Sequence, residues 1–571
     1  MAANSRLVKA DSRRSNKDAP AKVAARPEPA VPWPQRTWVL MLAGSLLLWA
    51  SFPPLDLWPL AWLAPLPWLL LIRREQLAGK RPYLHVAVGG FVFWLLMLQG
   101  VRLAHPLLYG GWIALAAYLT TYLVLFIAIT RVAVHRLRWP LFLAAPIVWT
   151  GLEFLRANLI SGFACGMLAH TQTALPILLQ IADLGSAYLV SFVMLLVTAV
   201  IAERLPANWL GETNKQHGPV AVVIAVVCVA LTLSYGWYRL AEKLPENNRK
   251  PLQVALIQGS LDTRFDQHPQ ERMKETFGQY DPLTRETLAK SPQIDLVVWP
   301  ESMFAVAEFQ TKSANQLTDS SINAEKRQFI KSWQGLFETT LGEVQRFLPE
   351  SQFLFGTTTL QFDLRDENPQ PKNYNVALLA APGKGLVNRY YKMHPVMFGE
   401  FVPLTDLFPA LTSLTPIGEG MSVGNEPVLM EVRDYALAPN ICFESTVPHL
   451  LRQQVSHLEQ ENKRPIDAIV NISNDGWFKA SGILDLHFRC SVFRAIENRK
   501  PVIIAANTGI SAHIDGNGRV IERGPKRSPK PLVASVVPDG RRSPYHSVGD
   551  LFAWLCAGAT WGVALFATLK R

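Results

Sequence analysis

Long apolar runs crowd the first 241 residues and the last 22 of this 571-residue chain, while the stretch between them reads as globular. A bilayer core takes roughly 20 apolar residues per helix. Eight spans are expected, at 38–52, 57–72, 85–101, 111–134, 138–160, 185–203, 219–241 and 550–569. Only the short Pro53-Pro54-Leu55-Asp56 link separates the first two, which predicts a tight hairpin. With 49% hydrophobic residues, the chain is too apolar for an ordinary soluble enzyme. Twelve of its 17 tryptophans precede residue 252, many near span ends, as interfacial anchoring predicts.

The formal charge of +11 would suggest nucleic acid as partner in a soluble protein. Here the excess lies in an N-terminal tail and in short loops beside apolar runs, so no nucleic acid is expected. Arg6, Lys9, Arg13, Arg14, Lys17, Lys22, Arg26 and Arg36 make residues 1–36 a disordered basic cytoplasmic tail. Further basic loops follow span two (Arg73, Arg74, Lys80, Arg81) and span four (Arg131, Arg136, Arg138). Alternation by the positive-inside rule puts both termini in the cytoplasm and residues 250–540 outside it. The resulting plan is the tail, a seven-helix membrane region at 37–245, the globular domain at 250–540, and an eighth helix with a short cytoplasmic end at 549–571. Inside the bundle, Glu153 and Arg156 stand i,i+3, a spacing that lets them share a helix face and pair. Asp183 opens span six, and ionisable groups in a membrane are costly and often functional.

Between the spans, short β-rich runs at 252–258, 295–299, 352–358, 375–380, 436–442, 467–472 and 502–507 alternate with helical stretches at 268–290, 322–348 and 484–498. That alternation is an α/β pattern, and Asp515-Gly516-Asn517-Gly518 is a hairpin turn. No glycine-rich phosphate loop occurs, so no nucleotide cofactor is expected. The five cysteines (Cys165, Cys228, Cys442, Cys490, Cys556) have neither metal spacing nor a disulfide framework.

Three places carry chemistry. Glu301 follows an apolar strand in Trp299-Pro300-Glu301, Lys392 and Glu400 stand eight residues apart, and Cys442 sits just past another strand in Asn440-Ile441-Cys442-Phe443-Glu444. Each alone is ordinary: a solvated carboxylate, a surface lysine, a core cysteine. All three at C-terminal strand ends is the placement of an α/β active site.

The ordered set PE, K-x8-E and C-x-E resembles the carbon–nitrogen hydrolase (nitrilase) superfamily, which implies an α-β-β-α sandwich. Seven spans before such a domain and one after it are similar to the apolipoprotein N-acyltransferase family. So are the texts FPPLDLWPLAW (52–62), WTGLEFLR (149–156), FGEFVP (398–403), CFES (442–445), NISNDGWF (471–478), ANTGISAHID (506–515) and YHSVGD (545–550). Phe265 and Phe443 stand where that family usually has tryptophan and tyrosine, and Leu486-His487 replaces a Gln-His pair.

The resemblance implies a catalytic triad of Glu301, Lys392 and Cys442. A cysteine divides acyl transfer into two easier steps through a thioester. Glu301 is the expected general base, and Lys392 with the Phe443 N–H the expected oxyanion donors. Glu400 is expected to orient Lys392, and Glu444 to align substrate or support its loop. Phe265, Trp477 and Phe478 are lid or substrate-contact positions. The implied partners are a phospholipid acyl donor, a diacylglyceryl lipoprotein acceptor and the bilayer, with the protein a monomer in the bacterial inner membrane and its catalytic domain periplasmic. No cofactor or metal is implied. A membrane-tethered amidase or nitrilase-type hydrolase and a non-catalytic scaffold are the alternatives.

Overall fold

The computed structural model describes residues 36–206, 219–246, 248–264, 267–403, 405, 407, 408, 410 and 420–569. The tail expected over 1–36 (Arg36 apart), Phe265, Lys570 and Arg571 lie outside the described residues.

Among the described residues, four helices are long and apolar enough to cross a membrane: Leu108–His135, Ala182–Arg204, Val220–Ala241 and Leu551–Leu569. Thr37–Ala50 and Pro82–Met97 are apolar but shorter, about 21 and 24 Å at 1.5 Å per residue. Leu141–Asn158, with 18 residues, holds Pro146, Glu153 and Arg156. The second expected span is not one continuous helix. A 3-10 turn at Trp58–Trp62 precedes an eight-residue helix, Leu66–Arg73. Pro59, Pro65 and Pro67 lack the N–H that a continuous ladder needs there.

Glu153 and Arg156 are both buried and line one small, mostly aromatic and aliphatic cavity of about 40 Å³, without a direct ion-pair contact between them. Glu153 instead accepts the Leu168 N–H at 2.9 Å. Arg156 lies over the Trp94 ring at 5.1 Å and the Phe163 ring at 5.8 Å, where its charge meets π faces.

The globular domain is two sheets. Its strands are β1 (Leu252–Leu256), β2 (Leu296–Val298), β3 (Glu308–Thr311), β4 (Gln352–Phe362), β5 (Lys372–Ala381), β6 (Gly385–Tyr391), β7 (Met430–Val432), β8 (Tyr435–Ile441), β9 (Ala468–Ser473), β10 (Val502–Ala506), β11 (Ala512–Ile514), β12 (Val520–Arg523) and β13 (Leu532–Val536). One sheet runs β13-β1-β2-β4-β5-β6, with β3 paired to β4, and the other β12-β11-β10-β9-β8-β7. Side chains alternate across each strand, so β1 sends Val254 and Leu256 between the sheets and Ala255 outward. The inner layer joins Leu296, Val298 and Leu354 of the first sheet to Leu437, Val470 and Ile503 of the second. Outside the first sheet, Tyr280 of helix Pro269–Lys290 and Phe337 and Leu341 of helix Ala324–Gln345 cover Val297 and Phe355. Outside the second, helices Pro448–Asn462 and Ile483–Asn498 pack on Ile469 and Ile504. Helix, sheet, sheet, helix: the expected sandwich forms.

The second helical layer continues without a break into the apolar core of the bundle. Its polar seam runs along Ile483–Asn498. Asp183, fully buried, accepts a hydrogen bond from Arg499 Nε at 2.9 Å and makes an ion-pair contact with Arg239 Nε at 2.8 Å. The helix Ala182–Arg204 departs from helical geometry at Gly185 and Ser186, and there Ser186 Oγ donates to Glu497 at 2.5 Å. A fully buried ion network gains little over an apolar isostere, but deleting one partner strands the others. Asp183→Asn is therefore expected to cost about 3–5 kcal/mol by the same reasoning, read as a lowered melting temperature of the full chain in detergent. An unchanged melting temperature contradicts this docking role.

Candidate active site

Glu301 is delivered by β2, which lies parallel between β1 and β4 and ends at Val298, just before Trp299. The buried Trp299 indole N–H donates to Thr284 Oγ1 at 3.0 Å and fixes the strand end. Gly356 on β4 is required here, because a Cβ would stand 2.5 Å from Glu301 Cα. The next residue, Ser302, has φ 61° and turns the chain away, leaving the carboxylate in the site.

Lys392 directly follows β6, and its N–H to Asn375 O at 2.9 Å prolongs the β5–β6 ladder. Its side chain is 1% exposed. Nζ donates to Glu400 Oε1 at 2.7 Å and Glu301 Oε1 at 3.2 Å. Asn375 Nδ2 bridges the same two carboxylates, at 2.6 Å to Glu301 and 3.0 Å to Glu400. The Asn474 N–H meets Glu301 Oε2 at 2.8 Å and the Val396 N–H meets Glu400 Oε2 at 2.8 Å. Burial pushes Lys392 down, but Glu301 and Glu400 outweigh it and hold the ammonium above the ordinary lysine range. Burial likewise pushes Glu400 up, and Lys392 with its hydrogen bonds brings it below the ordinary value.

Cys442 follows β8 as the first residue of a 3-10 turn, Cys442–Thr446, with φ 53°. Non-glycine residues pay for that conformation, which is found at turns, at helix ends and at active sites. Burial, then the Glu301 charge, pushes the thiol well up, and Lys392 opposes them. The resting group is therefore a thiol that must surrender its proton to react.

Glu444 ties the two sheets together. Its carboxylate accepts the N–H groups of Ile441 at 2.7 Å, Met393 at 2.7 Å and His394 at 3.0 Å, and the Tyr390 hydroxyl at 2.9 Å. It thus clamps the Lys392 segment to the cysteine turn. Burial pushes it up to about 7, and the Ile441 N–H, the Lys392 charge, the Tyr390 hydroxyl and the Met393 N–H limit the rise. Phe443 is half-buried and stacks on His394 with centroids 5.9 Å apart. Trp477 and Phe478 sit half-buried on the loop after β9.

Sequence reasoning missed two contributors. Asn375 carries no motif signal inside a β-strand. His487, noted only as part of a dipeptide, brings Nε2 within 2.9 Å of the Cys442 carbonyl and 3.0 Å of Ser445 Oγ. Its Nδ1 lies 3.1 Å from Asp475 Oδ1. Gly509 leaves room for Asp475, whose Oδ2 would be 1.9 Å from a Cβ there. Burial pushes His487 down, but Asp475 and the hydrogen bonds carry it up to about 9. Donor atoms of Cys442, Asp475 and His487 all lie within 4.8 Å, though both ring nitrogens of the histidine are committed to hydrogen bonds.

Residues 44–200 match the apolipoprotein N-acyltransferase N-terminal domain and residues 253–543 the carbon-nitrogen hydrolase domain. An apolipoprotein N-acyltransferase of Rhodopirellula baltica is 32% identical, covering 91% of this chain and 95% of that one. One of Geobacter metallireducens is 30% identical over 94% and 96%. Among solved structures, Saccharomyces cerevisiae Nit3, a member of the nitrilase superfamily, matches 54% of this chain and 97% of its own with 16% identity and a TM-score of 0.36.

Two outcomes follow from the geometry. Gly356→Ala forces β4 off the Glu301 backbone, an overpacking expected to cost about 1–3 kcal/mol and most of the activity, measured by thermal unfolding and turnover. Full activity contradicts the close approach. The His487 pKa is raised on folding, so its stabilising contribution is complete below pH 6.5 and fades as pH rises through about 9. Melting temperature across that window should fall more steeply in the parent than in His487→Gln; parallel curves contradict the charged pairing.

Proposed function

The chain belongs to the apolipoprotein N-acyltransferase family, and on that premise we propose that Cys442 carries an acyl group from a phospholipid to the α-amino group of an S-diacylglyceryl cysteine at a lipoprotein N-terminus. The chain is an acyltransferase with a carbon–nitrogen hydrolase domain. The observation that carries the reading is the buried cluster of Lys392 between Glu301 and Glu400, beside a cysteine held at positive φ.

In the first half-reaction Glu301 accepts the Cys442 thiol proton, and the thiolate attacks the ester carbonyl. Lys392 and the Phe443 N–H stabilise the tetrahedral oxyanion, a contribution that is often the largest in acyl transfer. The C–O bond breaks, the leaving alkoxide takes the proton from Glu301, and the lysophospholipid departs. In the second, the amine attacks the thioester carbonyl and Glu301 takes its proton. Collapse breaks the C–S bond, and the proton returns to sulfur. Glu400 holds Lys392 in place, and Glu444 with His487 holds the Cys442 turn. Trp477 and Phe478 provide an apolar approach that keeps water from the thioester.

The same reading has eight membrane segments, with the short helices of the first three and Leu141–Asn158 completing the count, both termini in the cytoplasm and the domain on the periplasmic face of the inner membrane, acting as a monomer. Transfer is favoured over hydrolysis because the family match extends through the bundle at 44–200, more than an anchor requires.

Purified protein given phospholipid and a diacylated lipopeptide should yield triacylated product by mass spectrometry. Glu301→Gln should lower kcat about 10²–10⁴-fold, the usual worth of a general base, and Cys442→Ser should abolish transfer; an active Cys442→Ser enzyme overturns the mechanism. For orientation, Lys384→Cys in the exposed turn between β5 and β6 should react with an impermeant maleimide on intact spheroplasts. Labelling only after lysis contradicts the topology.

A further inference from the structure

Two cysteines that the mechanism leaves unused meet at the junction of bundle and catalytic domain. Cys165 Sγ and Cys490 Sγ lie 3.8 Å apart although 325 positions separate them in sequence. Cys490 is fully buried on the helix Ile483–Asn498, with His170 Nδ1 3.9 Å from its sulfur. Cys165 is half-buried in the connection after Leu141–Asn158. Gly162 and Gly166 flank it at φ 71° and 69°, so its backbone has latitude that a helix lacks. The other thiols outside the active site, Cys228 and Cys556, belong to the helices Val220–Ala241 and Leu551–Leu569.

We propose that Cys165 and Cys490 are a thiol-oxidation site whose disulfide fastens the membrane bundle to the catalytic domain. A disulfide bond is about 2.0 Å long, so the sulfurs must approach by roughly 1.8 Å, a movement shared by two side chains and the glycine-flanked segment. The oxidant is a disulfide, either of a small thiol or of a dithiol oxidoreductase. The Cys165 thiolate attacks one of its sulfurs, and the S–S bond breaks to release one thiolate. Deprotonated Cys490 then attacks the Cys165 sulfur, forming the internal bond and releasing the second thiolate. Two protons pass from the cysteines to the two released thiolates, and two electrons reduce the oxidant.

The environments sort these roles. The Cys490 hydrogen bond outweighs burial and, with the His487 and Arg156 charges, holds Cys165 below the ordinary thiol value. Burial pushes Cys490 well above it. The partly accessible, more acidic sulfur attacks first, and the buried one resolves. The disulfide sits one helical turn after His487, the residue that holds the Cys442 carbonyl. Persistence of the bond in the cell rests on the extracytoplasmic orientation proposed above, since that compartment is oxidising; its chemistry does not.

The test uses full-length Cys442→Ala protein in detergent, which removes the active-site thiol. It is titrated with oxidised glutathione, quenched with N-ethylmaleimide and mapped by mass spectrometry without reduction. The expected product is a Cys165–Cys490 cross-linked peptide pair, two hydrogens lighter than the thiols and reversed by dithiothreitol. In Cys165→Ser, Cys490 should stay alkylatable after unfolding. Arrest at a glutathione adduct on Cys165, or two free thiols at oxidant excess, overturns the proposal. Acyl transfer is not measured, so a negative result here leaves the catalytic reading intact.

Discussion

One buried ammonium organises this molecule. Lys392 is almost wholly removed from water, and Glu301 and Glu400 are its counter-ions. Taking those ions out of water costs several kcal/mol each unless every lone pair finds a donor. Asn375 and the N–H groups of Asn474 and Val396 supply the donors. They come from β5, from the loop after β9 and from the segment after Lys392, so the charge cluster can exist only when both sheets are in register. Stability of the sandwich and competence of the site are the same event.

The cysteine is placed by a second, independent set of bonds. Glu444 reaches across from the Cys442 turn to the backbone beyond Lys392, and His487 holds the Cys442 carbonyl from a helix that also contacts the membrane bundle. That helix bonds to the bundle through Arg489 to the His170 carbonyl and through Glu497 to Ser186. In the proposed reaction both substrates reach the site from the bilayer, and a rigid link between Cys442 and the apolar helices would fix where the thiol stands relative to them.

Much of this was legible in the residues. Short apolar runs located β1, β2, β4, β5, β8, β9 and β10 to within a few positions, because buried strands are nearly continuous apolar runs. The strands β3, β6, β7 and β13 escaped, being interrupted by polar or exposed positions, as Gly385–Tyr391 and Leu532–Val536 are. The polar helix Pro448–Asn462 escaped for the same reason. Glu301, Lys392, Glu400 and Cys442 were legible through order and spacing. Asn375 was not, since a strand asparagine looks alike whether it bridges two carboxylates or faces solvent. The second span failed as a helix because hydropathy counts proline as tolerable where the backbone ladder does not.

The account stands on Cys442 sulfur carrying the acyl group next to Lys392. The most direct measurement incubates the purified chain with phospholipid alone and sequences the Cys442 peptide by tandem mass spectrometry. The account predicts one acyl chain on that sulfur, released by neutral hydroxylamine. An acyl group on any other residue, or none while product still forms, contradicts it.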